Sequence, residues 1–75
     1  MTQQTKLHDV VSGEVRAHLA RSRKTQRDLS ELLGISQPQV SARLRGSVVW
    51  DVDEIAAIAQ WLGVPVADLV KDAAA

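Results

Sequence analysis

The stretch TQRDLSELLGISQPQVSARLRG, residues 25–46, carries two helix starts and two helix stops within 22 residues. Thr25 is an N-cap residue by type, and Asp28 stands three places on, in the capping-box position. Leu29, Leu32 and Leu33 then give a short helix its apolar side, and Gly34 supplies a left-handed stop. Ser36 starts the next helix, with Gln39 at its capping-box position and Pro38 in the first turn, where a missing N–H costs little. Val40 and Leu44 lie four apart and face one way, and Gly46 closes the segment. Two short helices joined only by Gly34-Ile35-Ser36 make a helix-turn-helix by geometry alone.

The flanks read as helix too. Downstream, Asp51 and Glu54 form a D-x-x-E box, and Trp50 and Ile55 are placed as a hydrophobic staple around it. Ile55, Ile58, Ala59 and Leu62 make the buried stripe of this fourth helix, which Gly63 ends. Pro65 permits one more short helix, about 65–70, with Leu69 inward. Upstream, Leu7, Val11, Val15 and Leu19 form a stripe with Val10 and His18 alongside, which predicts a helix from about Lys6 to Arg21. Gly13 weakens its middle by up to ~1 kcal/mol. Ser47–Trp50 is the one strand-like run, four residues long and too isolated to make a sheet. Residues 1–5 and 71–75 read as tails around one domain spanning 6–70. The fold class expected is all-α, with five short helices.

Composition narrows the function. A chain of 75 residues is one small domain that buries about 60% of the surface its unfolded form exposes. It is too short for sheet-based enzyme folds such as barrels and doubly wound domains. Cys is absent, which excludes disulfides and thiolate zinc sites. His8 and His18 lie ten apart with no carboxylate pair around them, so no metal site is expected. Asp51, Asp53 and Glu54 cluster, but capping explains Asp51 and Glu54, and no nucleophile–base pair stands out. An enzyme is therefore not expected, nor is a cofactor. No segment approaches the roughly 20 apolar residues of a membrane helix, and the N-terminus carries no secretory pattern, so a cytoplasmic protein is expected.

Formal net charge is zero, but the charges are segregated. Residues 1–50 hold eight basic and four acidic groups, whereas residues 51–75 hold one basic and five acidic. A polyanion responds to the local field, so the basic N-terminal part remains a candidate partner for nucleic acid.

Residues 25–46, followed by DVDEIAAIAQWLGVPVADLV, resemble the Cro/C1-type (XRE-like) helix-turn-helix family of phage repressors and bacterial regulators. The resemblance runs from about Gly13 to Val70 and rests on Thr25-Gln26, Leu29-Ser30, Gly34, Val40 and Leu62-Gly63-Val64-Pro65. It implies a compact five-helix, lambda-repressor-like domain whose third helix reads DNA. The family's commonest base-reading positions fall on Gln37, Pro38, Ser41 and Ala42, with Gln39 beside them. Gln37 stands at the exposed start of that helix, where a Gln can pair two-pronged with adenine. Pro38 and Ala42 can offer only apolar contact, for instance to a thymine methyl. Gln26 matches a phosphate-gripping position, aided by the free N–H groups of its helix start. Ser36 at the next helix start joins it, and the basic set expected on phosphates is Arg23, Lys24, Arg27, Arg43 and Arg45. Two departures stand out. The family often has an apolar residue at Arg43 and an acidic one at Leu44, and Ala42 replaces what is frequently polar.

The function expected is sequence-specific binding of double-stranded DNA, as a repressor occupying a palindromic operator and as a homodimer. The alternatives are the DNA-binding part of a longer repressor, an activator or nucleoid-type regulator, and a protein-interaction module such as an antitoxin or adaptor using Trp61 and Val48-Val49.

Overall fold

The computed structural model describes residues 7–70. Five helices follow in order: α1 Leu7–Arg21, α2 Gln26–Leu33, α3 Gln37–Leu44, α4 Val52–Leu62 and α5 Val66–Val70. Helix 1 therefore matches its expected extent, with Lys6 and both expected tails lying outside the described residues. Ser47–Trp50 is loop.

All three expected capping boxes form. Thr25 Oγ1 accepts the Asp28 N–H at 3.1 Å, and the Thr25 N–H donates to Asp28 Oδ2 at 2.9 Å. Ser36 and Gln39 make the same exchange at 3.2 and 3.0 Å, and Asp51 and Glu54 at 2.7 and 3.1 Å. Each cap is worth about 1 kcal/mol to its helix. The reciprocal bonds hold the Asp28 carboxyl below the ordinary aspartate range, Thr25 being the main cause.

The helix ends share one design. After α2, α3 and α4 a glycine takes a left-handed conformation, and after α1 Arg23 does so, at φ 55°. In α1 the Lys24 N–H reaches back to the Leu19 carbonyl and the Arg23 N–H to that of Ala20, the paired bonds of a Schellman end. Residue type alone did not mark this stop, because Arg rarely fills a position that favours glycine.

Val11, Val15 and Leu19 from α1, Leu29 from α2, Val40 and Leu44 from α3, Trp50, Ile58 and Ala59, and Leu69 from α5 form the buried core. Helix 1 packs against α3, α4 and α5, while α2 packs on α3 and α4. Leu33, Ile55 and Leu62 are half-buried against the core rather than inside it. Leu7, expected in the α1 stripe, is 51% exposed and stands at the rim of a cleft it shares with Val49, Val52 and Ile55. Leu32 also faces out. Trp50 and Ile55 line one cleft, as a staple requires.

Pattern reading missed one buried polar residue. Ser12 sits beside Val11 on the inward side of α1 and is 2% exposed. Trp50 Nε1 donates to Ser12 Oγ at 2.8 Å, and Ser12 Oγ donates to the Arg43 carbonyl at 2.8 Å. One hydroxyl thus satisfies an indole from the α3–α4 loop and a carbonyl at the end of α3.

Two predictions follow from these contacts. Ser12→Ala leaves the indole N–H without its partner and removes one bond from the Arg43 carbonyl, so urea unfolding should show a loss of about 1–3 kcal/mol. For Asp28, the folded carboxyl titrates below its unfolded value. Its stabilisation is complete above the unfolded pKa, about 4, and is lost as pH falls through the lower folded value. The melting-temperature gap between the native chain and Asp28→Asn should therefore narrow as the medium is acidified below about pH 4.

Candidate nucleic-acid interface

The turn Gly34-Ile35-Ser36 joins the end of α2 to the start of α3, and the two helices pack against each other. Gly34 allows the reversal at φ 67°, and half-buried Ile35 packs against the core beneath it. The two helix starts differ in what they offer. In α2 the first two backbone N–H groups, of Gln26 and Arg27, have no carbonyl within the helix to bond, and the helix dipole adds partial positive charge there. In α3 the second position is Pro38, which has no N–H, and Ser36 Oγ holds the third, so only the Gln37 N–H stays open.

Gln37, Pro38 and Gln39 are exposed, while Ser41 and Ala42 are half-buried. The five expected base-reading residues are thus not equivalent. The Gln37 side chain stands free at the helix tip. Gln39 Oε1 is occupied by the Ser36 N–H, which leaves its amide NH2 to point outward. Ser41 Oγ accepts from Arg45 Nη1 at 3.1 Å, so this pair presents one joint surface a turn beyond Gln37.

The residues expected on phosphates also separate. Arg23, Gln26, Arg27, Ser36 and Arg45 are exposed. Ser36 Oγ accepts the Gln39 N–H and keeps its own hydrogen for an anion. Lys24 is half-buried, its Nζ 4.9 Å from the centre of the Trp61 ring, a cation–π distance. That contact also accounts for Trp61, which sits off the Ile58–Leu62 line and shares a surface groove with Lys24, Asp28, Glu31 and Leu32.

Arg43 is turned inward. Its Nε donates to Glu54 Oε1 at 3.1 Å and its Nη1 to the Gln39 carbonyl at 3.1 Å. The two side chains are only 15% and 13% exposed. Arg16, on α1, donates through Nη1 to the Leu44 carbonyl at the end of α3. Apart from the displacement of the apolar residue to Leu44, sequence patterns carried no signal for these two roles, since both depend on which helix end lies opposite. Among the described residues no group of three His, Asp or Glu could hold a metal ion. No helix among them is long and apolar enough to cross a membrane.

Known proteins bear on this geometry. A family model described as the BetR domain matches residues 6–75. A crystal structure of the clp gene regulator ClgR from Corynebacterium glutamicum superposes with a TM-score of 0.82 at 27% identity, over 95% of this chain and 92% of that one. A second ClgR crystal structure gives 0.85 at 26% identity, over 96% of this chain and 77% of that one. The hypothetical transcription factor NHTF from Neisseria shares the fold, with a TM-score of 0.77 at 22% identity over 93% and 84% of the two chains. Comparison with curated proteins finds no match. With its five-helix lambda-repressor-like fold and exposed helix-turn-helix, the chain belongs to the BetR domain family, an XRE-like DNA-binding domain of transcriptional regulators.

Proposed function

We propose that the chain is the operator-reading domain of a cytoplasmic repressor. The observation that carries this is the exposed Gln37 at the start of α3, in a helix-turn-helix whose Gln26, Arg27 and Arg45 are exposed as well. Gln37 reads an adenine edge with its two-pronged amide. Pro38 and Ala42 supply apolar contact, and the Ser41–Arg45 pair and the Gln39 amide border the read bases. Gln26, with its backbone N–H, Arg27, Ser36, Arg23 and Arg45 hold the sugar-phosphate backbone and set the register. Lys24 adds to the field from beside Trp61. Few side chains in this set can specify a base, so the shape of the bound duplex contributes to selectivity.

A single module of this size covers one half-site, and two copies on a two-fold operator double the contacts. Leu7, Val49 and Val52 are 51%, 61% and 79% exposed around a cleft of about 190 Å³ that also reaches Val11, Trp50 and Ile55. The three most exposed large apolar side chains among the described residues meet at this cleft, which favours this face as the contact between the two copies.

Selection of bound sites from a randomised duplex pool tests the reading function. The native chain should recover a palindrome with half-sites about 10 base pairs apart, and Gln37→Ala should lose preference at one or two positions. Failure to recover any motif at low salt would sink the repressor reading. Sedimentation on the recovered duplex tests the pairing: two copies should bind cooperatively, and Val52→Lys should abolish the cooperativity while leaving half-site binding intact.

A further inference from the structure

Arg43 lies in the last turn of α3, the place where a basic residue is first read as a phosphate ligand. Its surroundings argue otherwise. Two of the three guanidinium nitrogens are held, Nε by Glu54 Oε1 and Nη1 by the carbonyl of Gln39. Glu54 Oε1 is itself shared, because it also accepts the Asp51 N–H that starts α4. One carboxylate oxygen therefore ties the end of α3 to the start of α4.

The backbone of the same residue is anchored as firmly. The Arg43 carbonyl accepts Ser12 Oγ from α1, and Ser12 accepts the Trp50 indole. The adjacent Leu44 carbonyl accepts Arg16, again from α1. Three partners outside α3, namely Glu54, Ser12 and Arg16, thus converge on two consecutive residues, Arg43 and Leu44. Ordinary helix capping would not require a nearly covered ion pair, whose net stabilising value is small because both charges lose water. Such a pair does fix geometry, since each charge is costly in any other place.

Resting on the DNA-reading function above, we propose that Arg43 and Glu54 are positioning residues for the recognition helix, and that Arg43 sets specificity without touching DNA. Helix 3 is eight residues long, about 12 Å end to end. Its reading residue is at one end and its clamp at the other. A tilt of about 5° at the clamp carries the Gln37 end by about 1 Å, enough to break two-pronged pairing with a base while leaving flexible phosphate contacts in reach. Loss of the clamp therefore lowers discrimination more than it lowers affinity for DNA in general.

The test compares affinity for the selected duplex with affinity for a scrambled one, across a salt series, for the native chain, Glu54→Gln, Arg43→Lys, Arg43→Met and the Glu54→Gln/Arg43→Met double variant. Glu54→Gln keeps an oxygen for the Asp51 N–H, since Gln is an accepted capping-box residue, and replaces the charge-assisted bond from Arg43 by a weaker neutral one. The selected-to-scrambled ratio should fall about tenfold in Glu54→Gln and in Arg43→Met. The double variant should be no worse than the poorer single, and the salt dependence of non-specific binding should stay unchanged. Arg43→Lys, which keeps the charge but loses the fork, should fall between native and Arg43→Met. A phosphate-bound Arg43 would instead lower the salt slope by about 0.9 in Arg43→Met, with the ratio preserved in Glu54→Gln, and that result would overturn the proposal. If Arg43→Met fails to fold, Glu54→Gln and Arg43→Lys decide alone. A native chain that recovers no motif rejects the DNA reading itself. A native motif with an unchanged ratio in Glu54→Gln rejects only the positioning role. An independent readout needs no DNA: the Arg43 Nε–H should exchange with solvent more slowly in the native chain than in Glu54→Gln, where the bond to Oε1 is no longer charge-assisted.

Discussion

The Ser12 hydroxyl is the point on which the arrangement of helices depends. It lies inside an otherwise apolar core and makes two hydrogen bonds, one received from Trp50 and one given to Arg43. Apolar packing is tolerant of small slides, because one methyl contact replaces another at little cost. A buried hydrogen bond is not tolerant, since a shift of a few tenths of an ångström leaves polar atoms unpaired. Ser12 thus converts a generic bundle into one with a single setting of α1, the loop and α3. Arg16 and Glu54 reinforce that setting from the two neighbouring helices.

Local chemistry was easy to read because it is written within four residues. Thr25 with Asp28, Ser36 with Gln39 and Asp51 with Glu54 each define a helix start without reference to anything distant. The stops at Gly34 and Gly63 were equally plain. The periodicity of Val11, Val15 and Leu19, and of Ile58 with Ala59, identified the inner faces. Leu7 was misplaced because periodicity says which side of a helix is apolar and says nothing about whether each turn of that side is covered.

The tertiary polar contacts were not legible for the same reason. Arg43 looked like a surface cation by composition and position, yet Glu54 stands eleven residues away on another helix. Arg16 is separated from Leu44 by 28 residues, and Ser12 from Trp50 by 38. The displaced apolar residue at the end of α3 gave one clue. With Leu44 inward and buried, Arg43 is carried toward α4 rather than left on the rim. Lys24, expected on phosphate, has a neighbour the sequence did not indicate, its Nζ lying 4.9 Å from the centre of the Trp61 ring.

Pro38 has a consequence for competition among anions. The start of α2 keeps the two backbone donors of Gln26 and Arg27, an arrangement suited to an anion. The start of α3 has its proline and its serine cap, which leave one open donor, too few to chelate a phosphate or sulfate. Backbone donors for an anion are therefore concentrated at the start of α2 and scarce at the start of α3. On the proposed DNA-reading function, the α3 tip would then have little bound ion to displace.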